Sequence, residues 1–132
     1  MARILVVDDD ALFRDYLATA LRRAGHAVCE LPDGREVARL LAAERFDALI
    51  TDMVMPHMDG VATIREARRL APDLVIFGVS GALADDLLAS GPAASGAAII
   101  LAKPVEPGKL IGLLEDAIAR REARRCSRLD ER

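Results

Sequence analysis

The chain has 132 residues, a length that suits one compact domain. Its 18 basic and 21 acidic residues give a formal net charge of −3, which argues against a dedicated nucleic-acid binder with a basic surface. Aromatic residues make up only 3% of the chain, so the core must be aliphatic and base-stacking platforms are disfavoured. No apolar stretch approaches the roughly 20 residues of a membrane span, and no signal-peptide pattern is present. We therefore expect a cytoplasmic protein that contacts neither membranes nor nucleic acids directly.

Five short apolar runs predict five strands, with longer segments of helical periodicity between them. The runs are 4–7, 27–29, 48–50, 74–77 and 97–101. They are continuously apolar rather than alternating, which is typical of parallel strands buried on both faces. The predicted fold class is therefore α/β, a (βα)5 three-layer sandwich with one parallel sheet between helices.

The segments between the runs carry signals for the starts and ends of helices. We expect Asp10 to cap a helix that begins near Ala11, and Gly25 to end it in a left-handed conformation. Asp59 is expected to begin the third helix, and Pro107 suits the first turn of the last helix. The last helix has one apolar stripe, formed by Leu110, Leu113, Leu114, Ala117 and Ile118.

Two segments lack clear signals. Residues 90–96 contain many helix breakers, so the helix between the fourth and fifth strands is expected to be short or broken. Beyond about Ala119 the chain is rich in arginine with interspersed acids, and we interpret this stretch as a solvated helix extension that frays. The predicted division is a domain over residues 1–121 and a charged tail over 122–132. His26 and His57 are expected to be exposed loop residues.

Polar side chains follow four of the five predicted strands. They are Asp8, Asp9 and Asp10 after the first, Asp52 after the third, Ser80 after the fourth and Lys103 after the fifth. The carboxyl ends of parallel strands meet at one edge of the sheet, where ligands of open α/β folds bind. Two carboxylates about 4 Å apart repel by roughly 4 kcal/mol at an effective dielectric near 20. Either one acid is therefore protonated, or a hard cation such as Mg²⁺ lies among the carboxylates.

This set of residue types suits phosphoryl transfer. A carboxylate beside Mg²⁺ can attack phosphorus and become an acyl phosphate. The oxygens of the transferring group then need positive charge and hydrogen-bond donors, which Lys103 and Ser80 can supply. No glycine-rich phosphate loop follows the first strand, so dinucleotide binding is disfavoured.

Four motifs resemble those of the response regulator receiver domains of two-component systems, the CheY-like family. The motifs are residues 6–10 (VVDDD), 51–60 (TDMVMPHMDG), 80–82 (SGA) and 103–104 (KP). The resemblance runs from about Arg3 to Arg121. It implies a flavodoxin-like fold with the sheet order 2-1-3-4-5 and a cis peptide bond between Lys103 and Pro104.

The resemblance also implies a function and a role for each site residue. Asp52 would accept a phosphoryl group from a histidine kinase or a histidine phosphotransfer protein, and Ser80 and Lys103 would contact that group. The implied Mg²⁺ ligands are Asp9, Asp52, the backbone carbonyl of Val54 and, through water, Asp8. The chain would not otherwise be an enzyme, since it would catalyse only its own phosphotransfer and autodephosphorylation. We expect a monomer or a weak homodimer, and the downstream protein target is not identifiable from the sequence.

The chain departs from the family pattern at two places. Many receivers carry an aromatic residue shortly before the lysine, whereas this chain has Ile99, Ile100 and Leu101. Any conformational switch would then use Ser80 with an aliphatic partner, for which Ile100 is the candidate. Apolar residues also stand two positions after Asp52 and Ser80, at Val54 and Ala82, which predicts a long-lived phosphoryl group.

Two other functions compete with this interpretation. Asp8 and Asp10 form the Asp-x-Asp pattern of haloacid-dehalogenase-like phosphatases, although the sequence has no cap domain and no clear late acidic pair. The other alternative is an adaptor that keeps the fold and works without phosphorylation.

Overall fold

A computed structural model of the chain describes residues 1–53, 60–81 and 99–130, with side chains described as far as residue 126. Within these ranges five strands form one parallel sheet: β1 (Arg3–Val7), β2 (Ala27–Leu31), β3 (Ala48–Asp52), β4 (Val75–Ser80) and β5 (Ile99–Ala102). The helices are α1 (Ala11–Arg23), α2 (Val37–Ala43), α3 (Gly60–Leu70) and α4 (Pro107–Asp130), with a 3₁₀ turn over Gly34–Glu36. The segment before β5, where helix breakers over 90–96 predict a short or broken helix, lies outside the described residues, as does Asp59.

The sheet order is β2-β1-β3-β4-β5, which confirms the predicted topology. All four strand pairs are parallel, and β1 and β3 are aligned so that Val7 lies opposite Thr51. Every residue of β3 and of β4 is buried, as the continuous apolar runs predicted. This register brings the residues that follow β1 to the same edge as the end of β3.

Two hydrophobic clusters cover the two faces of the sheet. One contains Leu5, Leu49 and Ile76 and packs against side chains from α2 and α3. The other contains Ile4 and Ile50 and packs against α1 and α4. Alternate residues of each strand thus serve opposite faces, which is the geometry of a three-layer sandwich.

Local signals set the helix ends that position the candidate site. The carboxylate of Asp10 accepts hydrogen bonds from the backbone N–H groups of Leu12 and Phe13, which confirms it as the cap of α1. Gly25 has a φ of 96°, the left-handed conformation expected after the last turn of α1. Pro107 is the first residue of α4, also as predicted.

The solvated interpretation of the arginine-rich segment is wrong at Arg121, which is 4% exposed. The guanidinium group of Arg121 donates hydrogen bonds to the backbone carbonyl and to a carboxylate oxygen of Asp47, both at 2.9 Å. Arg121 continues the stripe of Leu110, Leu114 and Ile118 around the helix, and its position therefore faces the sheet. The helix itself continues to Asp130.

His26 lies in a loop as predicted, but its predicted exposure is wrong, because its side chain is only 8% exposed. Its Nδ1 accepts a hydrogen bond from the backbone N–H of Ala2, and its Nε2 lies 3.2 Å from a carboxylate oxygen of Glu115. His26 therefore joins the start of β1 to α4 instead of pointing into solvent. His57 lies outside the described residues. No helix in the described part of the chain is both long and apolar enough to cross a bilayer.

Candidate functional site

Three carboxylates meet at the carboxyl edge of the sheet, as predicted from the strand ends. Asp8 and Asp9 follow β1, and Asp52 is the last residue of the neighbouring strand β3. One carboxylate oxygen of each of the three lies within 4.8 Å of the others. Asp8 and Asp52 are 1% and 6% exposed, whereas Asp9 is exposed. The cluster therefore has a buried floor and one side open to solvent.

Asp8 is fixed by hydrogen bonds in several directions. Its Oδ1 accepts from the backbone N–H of Asp10 at 2.8 Å, and its Oδ2 accepts from Lys103 Nζ at 3.0 Å. Its backbone N–H donates to the Leu31 carbonyl, and its backbone carbonyl accepts from Arg14 at 2.7 Å. These contacts hold the Asp8 carboxylate in one orientation.

Lys103, which follows the edge strand β5, brings an ammonium group to the cluster. Its Nζ lies 3.0 Å from Asp8 Oδ2 and 3.5 Å from Asp52 Oδ2. Burial alone would lower the pKa of this ammonium group, but the hydrogen bonds and charges of Asp8 and Asp52 outweigh burial and raise the pKa. Lys103 is thus held in its charged form beside two carboxylates. The peptide bond to Pro104 is cis, as the resemblance implied.

Ser80 ends β4 at the same edge and is fully buried. Its backbone carbonyl accepts the N–H of Lys103 at 2.7 Å, which ties the residue after β5 to the end of β4. The proposed switch residue Ile100 is 5% exposed and belongs to the cluster on the α2–α3 face. The switch roles of Ser80 and Ile100 stay predictions, and Val54 and Ala82 lie outside the described residues.

Two glycines allow Met53 to pack directly behind Asp52. Met53 is 3% exposed, and its backbone N–H donates to the Val79 carbonyl at 2.9 Å. A Cβ at Gly60 would lie 2.4 Å from Met53 Cα and 2.6 Å from the Asp52 carbonyl oxygen. A Cβ at Gly78 would lie 2.6 Å from Met53 Sδ. The backbone position of Asp52 therefore requires that residue 60 have no side chain.

The donor set of this cluster fits a hard divalent cation. Three carboxylates face one ammonium group, an excess of two negative charges in a small and largely buried volume. All the candidate ligand atoms are carboxylate oxygens, with no imidazole nitrogen or thiolate sulfur among those described. Such oxygen donors suit Mg²⁺ and related ions rather than Zn²⁺ or Cu²⁺. The cluster is an acidic pocket that could bind a metal ion.

The sheet order and the position of the acidic pocket define a CheY-like α/β domain. The crystal structure of a CheY-like receiver domain protein from Methanospirillum hungatei superposes with a TM-score of 0.84 at 25% sequence identity. The alignment covers 94% of this chain and 98% of that one.

The chain belongs to the response regulator receiver domain family, whose family model matches residues 4–115. It is 36% identical over 115 residues to the response regulator receiver protein CpdR of Brucella abortus, covering 87% of this chain and 95% of that protein. It is 38% identical over 113 residues to a response regulator receiver protein of Anaeromyxobacter. That match covers 86% of this chain, which spans about half (47%) of that relative. The family resemblance inferred from the four motifs is confirmed.

One contact at the site was not anticipated from the sequence. The ring of Phe13, in the first turn of α1, lies against the ammonium group of Lys103, with 4.6 Å between Nζ and the ring centroid. The sequence gives a partial signal, because Phe13 is three residues after the helix cap Asp10 and so must lie near the strand ends. No pattern in the sequence indicates that the Phe13 ring contacts Lys103, which is 90 residues later in the chain.

Proposed function

We propose that the chain is a phosphoacceptor of two-component signalling, in which Asp52 takes a phosphoryl group from a histidine kinase or a histidine phosphotransfer protein. The observation that carries the proposal is the meeting of three strand-end carboxylates with an ammonium group 3.5 Å from Asp52. Family membership supports it, because receiver domains of two-component systems interact with kinases or phosphotransfer proteins. We also propose that the protein acts in the cytoplasm, as a monomer or a weak homodimer.

The transfer uses the carboxylate of Asp52 as the nucleophile. One of its oxygens forms a bond to phosphorus while the bond between phosphorus and the donor imidazole nitrogen breaks, and that electron pair stays on the nitrogen. The product is an acyl phosphate on Asp52. The Lys103 ammonium offsets negative charge on the oxygens of the transferring group, and the Ser80 hydroxyl donates a hydrogen bond to one of them. The chain turns over no other substrate.

Asp8, Asp9 and Asp52 would hold Mg²⁺, with the backbone carbonyl of Val54 as a further ligand. When bound, Mg²⁺ offsets the charge of the carboxylates and orients the oxygens of the phosphoryl group. Asp9 and Asp52 are the direct carboxylate ligands in this proposal. Asp8 would act through water, and both of its carboxylate oxygens also accept hydrogen bonds from the protein. The exposed side of the cluster at Asp9 leaves a path for the ion and for the phosphodonor.

Phosphorylation of Asp52 would change the ion pairs that Lys103 makes. The phosphoryl group adds a charge of about −1.5 to −2 beside an ammonium group that is paired with Asp8 and Asp52. Lys103 then contacts the phosphoryl oxygens at the expense of those ion pairs. We propose that Ser80 and Ile100 transmit this rearrangement to the surface that binds the downstream protein.

The proposal is tested by measuring phosphoryl uptake from acetyl phosphate by intact mass spectrometry, with and without Mg²⁺. The wild type should gain one phosphoryl group in the presence of Mg²⁺, and Asp52→Asn should gain none. Asp10→Asn is the matched control, because it removes one negative charge beside the cluster while an asparagine still caps α1. Asp10→Asn should be labelled like the wild type. Labelling of Asp52→Asn, or a label mapped to Asp8 in the wild type, would refute the proposal.

The same experiment separates this function from a phosphatase that uses Asp8 and Asp10. In the structure the Asp10 carboxylate accepts the first backbone N–H groups of α1, and this helix-capping role accounts for the residue. A phosphatase would hydrolyse a generic phosphomonoester repeatedly and would lose that activity in Asp8→Ala. A receiver shows no such turnover, with or without the substitution.

A further inference from the structure

Phe13 packs against the Lys103 ammonium group, which is also paired with two carboxylates. Two directions around Nζ are taken by Asp8 at 3.0 Å and Asp52 at 3.5 Å. A third is taken by the face of Phe13, whose ring centroid is 4.6 Å away. This distance is well within the range of about 6 Å over which a cation is attracted to the face of an aromatic ring.

The backbone of Phe13 is linked through the helix cap Asp10 to one member of the acidic cluster, Asp8. Asp8 Oδ1 accepts the backbone N–H of Asp10 at 2.8 Å, and Asp10 Oδ1 accepts the backbone N–H of Phe13 at 3.3 Å. The Phe13 side chain is partly buried against the hydrophobic cluster under α1 and α4. Lys103, which packs on the Phe13 side chain, also donates a hydrogen bond to Asp8 and so links the two ends of this chain of contacts. The aromatic face, the helix cap and the ion pair therefore form one connected unit.

We infer that Phe13 is a positioning residue that orients the Lys103 ammonium group for its contact with the phosphoryl group. This inference rests on the proposed function. Because the ring has no acceptor oxygen and no formal charge, it attracts the ammonium group without competing for it as a third carboxylate would. Lys103 can then leave Asp8 and Asp52 for the phosphoryl oxygens while its remaining side stays packed on the ring.

An aliphatic side chain would fill the space without this attraction. Phe13→Leu keeps an apolar residue in the first turn of α1 but removes the aromatic face, whereas Phe13→Tyr retains it. Phe46→Leu is the matched control, since the Phe46 ring also lies near a cation, the guanidinium group of Arg3 at 5.0 Å. Phe46 precedes β3 and is therefore at the opposite end of the sheet from the acidic cluster.

The position of the ring is tested first, without any phosphodonor. The chain has two lysines, Lys103 and Lys109, so a protein labelled with ¹³C at lysine Cε gives two signals, which Lys109→Arg assigns. The Lys103 ε-protons should be shifted upfield by the ring current in the wild type, in Phe13→Tyr and in Phe46→Leu. In Phe13→Leu they should move to the position of a solvated lysine. A Lys103 signal that is the same in Phe13→Leu and the wild type would overturn the inference.

The role of the ring is then tested by the rate of phosphorylation with acetyl phosphate at saturating Mg²⁺. Phe13→Leu should lower the rate constant about three- to tenfold, with the apparent Kd for Mg²⁺ unchanged, because only the orientation of Lys103 is lost. Phe13→Tyr should restore the rate, and Phe46→Leu should leave it unchanged. A wild-type rate in Phe13→Leu, or an equal loss in both leucine variants, would refute the role. If the wild type takes up no phosphoryl group, the proposed function fails, and the role of Phe13 in it fails as well. The Lys103 signals still report whether the Phe13 ring lies against the ammonium group, so the two failures can be told apart.

Discussion

At the carboxyl ends of the strands, three carboxylates lie around the single ammonium group of Lys103. At the amino ends, the carboxylate of Asp47 is matched by the guanidinium group of Arg121 at 2.9 Å and by the backbone N–H of Arg3 at 2.8 Å. The Asp47 carboxylate is partly buried and has a guanidinium partner, which also pairs with Glu122, whereas the carboxylates of Asp8 and Asp52 share one ammonium group and Asp9 lies beside them. The first arrangement is suited to receiving a cation or a reacting group, and the second to holding α4 against the sheet.

The hydrogen bonds around Asp47 support this structural role. The Asp47 backbone carbonyl accepts from Arg121 and from the N–H of Val75, and the Asp47 N–H donates to the Arg3 carbonyl. Asp47 therefore joins β1, β4 and α4 just before β3 begins. The pKa of its carboxyl group would be raised by burial, but the hydrogen bonds from Arg3 and Arg121 outweigh burial and lower it.

The largest expected effect on stability comes from removing Arg121. Arg121→Met keeps much of the unbranched apolar stem but leaves the Asp47 carboxylate without its buried cation, so we expect the free energy of unfolding to fall by about 3 kcal/mol. Arg120→Met is the control, because Arg120 is exposed and pairs only with Asp116 one turn away among the described contacts. Its loss should cost less than about 0.5 kcal/mol. Urea unfolding of the two variants measures the difference, and equal midpoints would contradict the assigned role of Arg121.

The next effect concerns the backbone behind Asp52. Gly60→Ala places a Cβ against the backbone of Asp52 and Met53, which should cost about 2 kcal/mol of stability and slow phosphorylation about tenfold or more. Gly78→Ala presses on the flexible Met53 side chain and comes only to ordinary contact distance, 3.5 Å, from Ile100, so it should preserve phosphorylation within about twofold. Rates with acetyl phosphate for both variants test this contrast. Similar rates in the two variants would show that Asp52 does not depend on Gly60.

The Asp47 pair also predicts how stability depends on pH. Because folding lowers the pKa of Asp47, its stabilisation is fully present above its unfolded pKa of about 3.9 and is lost as the pH falls through the folded value. Asp47→Asn should cost about 1 kcal/mol at pH 7 and flatten the fall in stability below pH 4. Thermal unfolding followed between pH 2 and pH 7 measures the slope. A variant that loses stability in acid as steeply as the wild type would contradict this account.

The smallest effect has the opposite sign. Without divalent ions, Asp9→Asn should raise the free energy of unfolding by about 0.5 kcal/mol, because it removes one of three mutually repelling carboxylates. Asp10→Asn should change stability less, since Asp10 lies outside the cluster and asparagine caps a helix equally well. Denaturant unfolding in EDTA gives both values. Destabilisation by Asp9→Asn under these conditions would argue against unrelieved repulsion at this edge.

Much of the fold and of the acidic cluster could be predicted because the relevant signals are local. Continuous apolar runs identify buried parallel strands, and the residues at their carboxyl ends must then share an edge. Asp10 was predicted as a helix cap from its place before α1, and Asp8, Asp9 and Asp52 were predicted to converge. Neither prediction needed knowledge of a distant contact.

The remaining features depend on partners far along the chain. Arg121 lies in a run of arginines and acids, and its burial is set by Asp47, 74 residues earlier. His26 bonds to Glu115, 89 residues later, and Phe13 meets Lys103 from the opposite end of the chain. Residue type favours exposure for polar side chains such as those of Arg121 and His26, and only the packing of α4 on the sheet reverses it. The stripe that Arg121 continues on α4 was the one available signal, and it was outweighed by the surrounding charges.

The most direct test of the contrast between the two ends of the sheet is a Mg²⁺ titration followed by thermal unfolding. The wild type should be stabilised by about 1.4 kcal/mol at a free Mg²⁺ concentration of ten times Kd. Asp10→Asn and Arg121→Met should show the same increment on their own baselines. Asp9→Asn and Asp52→Asn should show little or none at that concentration. A wild type that Mg²⁺ does not stabilise, or an undiminished increment in both Asp9→Asn and Asp52→Asn, would contradict the shared cation site on which the account depends.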